Sequence, residues 1–227
     1  MKVPFNKDRA DNLLNQIMKA PGSSQVDVLS NDLVKEFYRG YPLMNLWPLL
    51  HSPDAALVSA GVWIASELGA LGQPLLEDVS PLLRHPEKDV RFDAINCLLV
   101  WATPSHAAEL ASIIKLMMDD PERSVRWKAM DFLARASNDQ LRAGLLHLQV
   151  NQPDSAHVRG LQWLFSQEGL DAERVTTALQ SQDAVLRKYA AVAARRISKS
   201  NRVPLLYAVS VLDPDVKNFA EAGLKLL

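Results

Sequence analysis

Cysteine, glycine and long apolar runs are scarce in this chain. Cys97 is the only cysteine among 227 residues, so no internal disulfide can form and a reducing compartment is expected. The 9 glycines and the lack of a polar low-complexity tract argue against long disordered segments. No stretch approaches the roughly 18 apolar residues of a membrane span, and the first residues carry no apolar signal-peptide core. We therefore expect a soluble, cytoplasmic protein with no membrane partner.

The chain also lacks a strong charge of either sign and the usual motifs of catalysis. The formal net charge is -1 and the pI is about 6.5, whereas proteins that grip nucleic acid are usually basic. None of the 5 histidines pairs with cysteine or another histidine at metal-ligand spacing. A glycine-rich phosphate loop and a nucleophile elbow are both missing. These features disfavour nucleic acid as a partner, and they predict neither an enzyme nor a metal or cofactor site.

A recurring phrase organises the rest of the sequence. A turn, often with proline, is followed by an apolar residue and then usually by a cation, most clearly in His85–Arg91 and Asp120–Arg126. The apolar residues that anchor the copies are Leu57, Val90, Val125, Val158, Leu186 and Val216. Neighbouring anchors are 28 to 35 residues apart, which leaves room for two helices and two turns, and no segment alternates like a strand. The sequence therefore predicts a stack of helix pairs.

Each anchor is predicted to open the second helix of its pair, with one apolar face buried. The fourth pair has a poorer face, because Gln162 and Ser166 fall on it. The first helices are predicted at residues 75–83, 107–118, 141–150, 172–179 and 203–212, with Ser105 and Asp171 as N-caps. Residues 1–42 lack the phrase. They are predicted to form two amphipathic helices, 9–20 and 25–38, that cap the stack.

The pattern Pro-x-x-x-Val-Arg-x-x-Ala before an apolar helix resembles HEAT-like repeats, most closely at residues 86–98 and 121–133. The resemblance covers residues 43–227. It implies an all-α fold, an α-solenoid of about six helix pairs with an atypical N-terminal helical cap, in a single domain overall. It also implies that the second helices line a concave side and that the protein binds another macromolecule. We expect the chain to be a monomer on its own.

Two interpretations are open for the cations that follow the anchors. They could line a basic groove, or they could form a structural ladder by pairing with acidic turn residues such as Asp120 and Asp154. We favour the ladder, because HEAT-like repeats carry this arginine whatever they bind. The cations concerned are Arg91, Arg126, Arg159, Arg187 and Lys217.

Large aromatic residues fall where the resemblance places the concave surface. Trp63, Phe92 and Trp127 lie on the side of their helices that faces away from the predicted core, and carboxylates lie within one turn of each. Aromatic anchors are common in interfaces, and rings set among acids suit a partner that bears Lys or Arg. The alternative is that the rings wedge between repeats. The predicted partner-binding residues are Trp63, Glu67, Phe92, Asp93, Asn96, Trp127, Asp131 and Arg135.

Other residues of the second helices are assigned different surroundings. The same face is predicted to become basic towards the C-terminus, at Lys188, Arg195 and Arg196. Trp101 and Trp163 are predicted to lie in the core, as is Cys97, which sits on the apolar side of its helix.

The predicted function is a protein-interaction module without enzymatic activity. We favour an immunity- or antitoxin-like inhibitor of a cognate toxin, because small stand-alone HEAT-like proteins can neutralise toxins and a toxin that acts on nucleic acid is commonly basic. One alternative is an adaptor or assembly scaffold. Another is a HEAT-like alkylpurine DNA glycosylase, whose combination of concave Trp and catalytic Asp is similar to Trp127 and Asp131. The neutral charge and regular repeats of this chain depart from that family.

Overall fold

The computed structural model describes residues 6–166 and 171–226. Within these ranges every regular element is a helix and none is a strand, which confirms the all-α prediction. The α-helices are α1 (Lys7–Lys19), α2 (Val26–Tyr38), α3 (Trp47–Leu50), α4 (Ala55–Glu67), α5 (Leu76–Val79), α6 (Lys88–Trp101), α7 (Ala107–Asp119), α8 (Arg123–Arg135), α9 (Asn138–Asn151), α10 (Ala156–Phe165), α11 (Ala172–Leu179), α12 (Ala184–Ile197), α13 (Val203–Ala208) and α14 (Pro214–Leu224). None of them, over the same ranges, has the length and hydropathy needed to span a membrane.

The contacts divide the chain into two compact units, Met1–Trp101 and Ala102–Leu227. The first unit contains α1 to α6 and the second contains α7 to α14. The boundary that we predicted between cap and repeats, at residue 42, falls inside the first unit, where α2 packs against α4. The two N-terminal helices thus belong to the same compact unit as the first repeats.

A buried carboxylate joins the two N-terminal helices. Glu36 of α2 has no solvent exposure. It accepts hydrogen bonds from the Asn6 N–H at 3.3 Å and from Arg39 Nη1 at 2.7 Å, and Arg9 Nε lies 3.7 Å from it. A buried carboxylate is stabilised when such donors surround it. The two amphipathic helices predicted for this region are confirmed as α1 and α2.

The second helices begin where the recurring phrase places them. Helices α4, α6, α8, α10, α12 and α14 all start two residues before their anchors. Five of the six anchors are buried, and Leu186 is half-buried. Several of these helices open with a side chain that accepts a hydrogen bond from the N–H two residues later. These capping residues are Asp54, Ser155, Asp183 and Asp213.

The arginine after the anchor holds the turn that precedes its own helix. Arg91, Arg126 and Arg187 donate from Nη1 to the carbonyl oxygens five and six residues earlier, at 2.7–3.0 Å. Carbonyls near a helix end lack an intrahelical donor, so a guanidinium is well placed there. The structural role that the ladder interpretation gave these arginines is confirmed. Arg126 and Arg159 bond the backbone carbonyls of Asp120 and Asp154, and Arg187 binds the carboxylate of Asp213 at 3.1 Å.

Three of the first helices, α7, α9 and α11, lie where they were predicted. The prediction of one continuous α-helix at residues 75–83 is wrong. Only the short α5 lies there, between 3-10 helices at Gly69–Leu75 and Ser80–Arg84. Pro74 and Pro81 lie in these segments, and a proline removes the N–H that a continuous helix needs. The last of the first helices, α13, ends at Ala208 instead of residue 212.

One of the two predicted N-caps is correct. The Asp171 side chain accepts hydrogen bonds from the N–H groups of Glu173 and Arg174 at 2.8 and 3.0 Å, so it caps α11. Ser105 does not cap α7, whose N-cap residue is His106. The Ser105 hydroxyl instead lies 2.7 Å from Thr103 Oγ1, within the turn that precedes α7.

Candidate functional site

A groove of about 460 Å³ lies in the first unit, between α2, α4 and α6. We call it the acidic aromatic groove and define it by six of its residues, Asp27, Ser30, Trp63, Asp89, Phe92 and Asp93. The turn 21–23, which joins α1 to α2, closes one side of it. Three of the partner-binding residues predicted from sequence, Trp63, Phe92 and Asp93, therefore come together in one cavity.

The repeat geometry explains why these rings reach the groove. Trp63 lies six residues after its anchor and Phe92 lies two residues after its own, so both point away from the buried anchor side of the helix. Both aromatic side chains are half-buried, and Asp93 beside Phe92 is half-buried as well. Rings in this state keep apolar surface in contact with water, which is typical of interaction sites.

The contribution of α2 to the groove was missed at the sequence level. Ser30 is only 2% exposed, it lines the groove, and its hydroxyl has no hydrogen-bond partner among the described residues. Asp27, one turn earlier, is exposed. The available signal was the spacing of Val26, Ser30, Leu33 and Phe37, which places one hydroxyl within an apolar helical stripe.

Two further predicted residues lie on the same helices but do not line the groove. Glu67 is the last residue of α4, its side chain is exposed, and its backbone carbonyl accepts a hydrogen bond from the Tyr38 hydroxyl at 2.8 Å. Asn96 is half-buried, one turn after Phe92 on α6. A role of either residue in partner binding stays a prediction.

The other three predicted residues belong to α8 in the second unit. Trp127 is half-buried, and its ring meets that of Phe219 edge-on with centroids 6.4 Å apart. Asp131 is 8% exposed, with its Oδ2 3.2 Å from Arg135 Nη1 and 3.8 Å from Lys128 Nζ. The ring of Trp127 thus packs between helices, the arrangement left open as the alternative. The binding role of Trp127, Asp131 and Arg135 stays a prediction.

Contacts among α8, α12 and α14 account for this burial. Helix α8 packs against both α12 and α14, and α12 packs against α14. Asp215 at the start of α14 is 7% exposed and binds Arg126 of α8 and Lys188 of α12, each at 2.8 Å. Burial by itself raises the pKa of the Asp215 carboxyl, but hydrogen bonds from Arg126 and Lys188 lower that pKa below its ordinary value.

The basic surface predicted near the C-terminus is wrong, because its cations bind other parts of the second unit. Lys188 is 5% exposed and donates to the Met117 carbonyl at 3.1 Å, besides binding Asp215. Arg195 donates to the Gly223 carbonyl. Arg196 donates to the carbonyls of Leu133 and Ala136 at 2.8 and 2.9 Å, at the end of α8. The N–H groups of these three side chains donate to carbonyl groups near helix ends, which lack partners within the helix.

The residues assigned to the core behave differently from one another. Trp101 is 2% exposed and its indole Nε1 donates to the Gly69 carbonyl at 2.6 Å. Cys97 is 1% exposed, so the core prediction is confirmed for both. Trp163 is only half-buried, so the prediction overestimated how deeply this side chain lies in the core.

Comparisons with known proteins support the fold and are silent on function. No protein-family model matches the chain, and no curated protein matches it significantly. A solved structure of an engineered protein from the Northeast Structural Genomics Consortium has a TM-score of 0.50 at 15% identity, covering 97% of this chain and 96% of that one. At such identity the similarity concerns the fold alone, and it agrees with the helical-repeat architecture described above.

Two designed armadillo repeat proteins are also similar. One, described in complex with the peptide (KR)4, has a TM-score of 0.48 at 14% identity and covers 96% of this chain and 97% of that one. The other has a TM-score of 0.41 at 18% identity, covering 81% of this chain and 99% of that one.

Proposed function

We propose that this chain is a protein-binding module, not an enzyme, and that its partner docks on the acidic aromatic groove of the first unit. The observation that carries the proposal is the meeting of Trp63 and Phe92 with the carboxylates of Asp27, Asp89 and Asp93 in one cavity. Aromatic anchors supply most of the binding energy of many interfaces, and carboxylates around them select a basic partner.

The more specific form of the proposal is an inhibitor that neutralises a cognate toxin. It rests on charge complementarity, because a toxin that acts on nucleic acid carries the cations that bind phosphate, and these cations suit the three carboxylates of the groove. By covering such a cationic surface the module would block access to nucleic acid. In this proposal the chain itself carries out no reaction.

The test is affinity capture from a lysate of the source organism with matched variants. The double variant Trp63→Ala/Asp93→Asn should lose the partner, with a decrease in affinity of at least about tenfold. The control is Trp47→Ala, because Trp47 is also in the first unit and 55% exposed but lies outside the groove. Equal recovery of the partner with the double variant and the wild type would contradict the proposed docking site.

A second measurement separates the inhibitor from an adaptor. The captured partner is expressed alone and together with the module, and growth of the host is followed. A toxin would arrest growth alone, the wild-type module would restore it, and the Trp63→Ala/Asp93→Asn variant would not. If the captured partner is basic but not toxic, the proposed binding site would still stand, but the protein would be an adaptor and not an inhibitor.

A further inference from the structure

The hydroxyl of Ser30 distinguishes the acidic aromatic groove from a simple acidic patch. The hydroxyls of two other serines bond a carbonyl four residues earlier: Ser80 bonds the Leu76 carbonyl at the end of α5, and Ser112 bonds the Ala108 carbonyl within α7, each at 2.9 Å. Ser30 is only 2% exposed, yet its hydroxyl has no partner among the described residues. A buried polar group without a partner destabilises the empty protein, so its placement in a cavity indicates a ligand.

The charge around this hydroxyl specifies the sign of the ligand. Asp27, Asp89 and Asp93 line the groove, and none of its described lining residues is Lys or Arg. The carboxylates come from two helices, α2 and α6, so they face the cavity from different elements. A cation entering the cavity would therefore be attracted, whereas nucleic acid would be repelled.

The rings specify the shape of that cation. A guanidinium group is planar, weakly hydrated and stacks on aromatic faces, whereas an ammonium group is a compact and strongly hydrated point charge. Trp63 and Phe92 supply the aromatic faces. The five N–H donors of a guanidinium can also reach several acceptors at once, here carboxylates and one hydroxyl. The groove volume of about 460 Å³ lies within the range of about 300–1,000 Å³ that is usual for ligand pockets.

We infer that the acidic aromatic groove receives an arginine side chain, carried by a segment of the basic protein partner; this inference rests on the proposed function. The guanidinium lies against Trp63 and Phe92 and donates hydrogen bonds to the Ser30 hydroxyl and to carboxylates at the groove. Ser30 is then the residue that recognises the buried end of the side chain.

The experiment uses the full chain and a short synthetic peptide with the sequence Gly-Ser-Gly-Arg-Gly-Ser-Gly, capped at both ends. Binding is followed by NMR chemical-shift titration at the indole N–H signal of Trp63, assigned with Trp63→Phe. Replacing the arginine with citrulline, which keeps the shape but removes the charge, should weaken binding by at least about tenfold. Replacing it with lysine should weaken binding by a smaller factor.

Two groove variants and one control make the test specific. Ser30→Ala should weaken binding of the arginine peptide about tenfold, and Asp93→Asn should weaken it about threefold. Asp139→Asn, an exposed carboxylate of the second unit, should leave the affinity unchanged. Ser30→Ala should also keep or raise the melting temperature of the ligand-free protein, because it removes a buried hydroxyl that lacks a partner.

Each outcome bears on one of the two proposals. Equal binding of the arginine and citrulline peptides, no binding of either, or unchanged affinity in Ser30→Ala would overturn the arginine site. A lower melting temperature of Ser30→Ala would also overturn it, because the hydroxyl would then have a structural partner. Capture of the protein partner by Ser30→Ala but not by Trp63→Ala/Asp93→Asn would overturn this inference and leave the proposed function standing.

Discussion

At the scale of single residues, a close approach between a glycine and a ring joins α10 to α12. Tyr189 is fully buried, and a Cβ atom at Gly160 would lie 2.2 Å from its ring carbons. The hydroxyl of the same ring lies 3.2 Å from His157 Nδ1. The ring thus occupies the space that any larger residue at position 160 would need. Gln162, which the sequence placed on the apolar face of the fourth pair, is exposed in the structure.

Gly160→Ala is expected to destabilise the protein by about 1–3 kcal/mol, because overpacking against Tyr189 outweighs the gain in helix propensity of about 1 kcal/mol. Urea unfolding followed by circular dichroism measures this difference. Gly144→Ala is the matched helical control, since the nearest atom to its new Cβ is the flexible end of Ile114. Equal stability of Gly160→Ala and wild type would show that α10 and α12 can separate without cost.

Individual site residues were predictable only where the repeat assigned them a register. Trp63, Phe92 and Asp93 could be placed on one face because their distances from Leu57 and Val90 are read directly from the sequence. Ser30 could not, because α2 has no anchor and its position relative to α4 depends on packing. Burial of Asp131 was equally hidden, since it depends on helices more than fifty residues away.

At the scale of helices, the recurring phrase determines where second helices begin but not which of them meet. The N-cap side chain and the arginine act within one turn, so both are local and readable. The contact of α8 with α14 depends instead on Arg126 and Asp215, which are 89 residues apart. Nothing in the repeat period specifies that pair. The helices were therefore predictable from sequence, whereas the packing of α8, α12 and α14 was not.

Asp215→Asn is expected to destabilise the second unit by on the order of 3 kcal/mol, because it leaves Arg126 and the buried Lys188 without their shared carboxylate. Thermal unfolding of the full chain measures this loss. Asp139→Asn is the control, because its carboxylate is exposed and the expected change is within about 0.5 kcal/mol. A loss in Asp215→Asn no larger than in Asp139→Asn would mean that the ion pairs do not hold α14.

At the scale of the whole molecule, the net charge is only -1, but charged residues have different surroundings in the two units. In the first unit, Asp27, Asp89 and Asp93 line a cavity without cations among its described residues. In the second unit, Arg196 and Lys188 bind carbonyls and carboxylates of neighbouring helices. The net charge could not predict this difference, because it does not record where the charged residues lie in the fold.

The stability of the protein is expected to fall between about pH 7.5 and about pH 5.5, because histidines that are partly or fully removed from water resist protonation. Burial lowers the pKa of His157, and Lys115 and Lys188 lower it further although Asp119 opposes them. Burial also lowers the pKa of His85. A histidine whose pKa is lower in the folded than in the unfolded state contributes full stability above the unfolded pKa of about 6.5, and that stability is lost as the pH falls below it.

Thermal unfolding of the wild type, His157→Gln and His85→Gln across this pH range measures how steeply stability depends on pH. Each variant should flatten this dependence; slopes equal to that of the wild type in both variants would place the acid sensitivity in other groups.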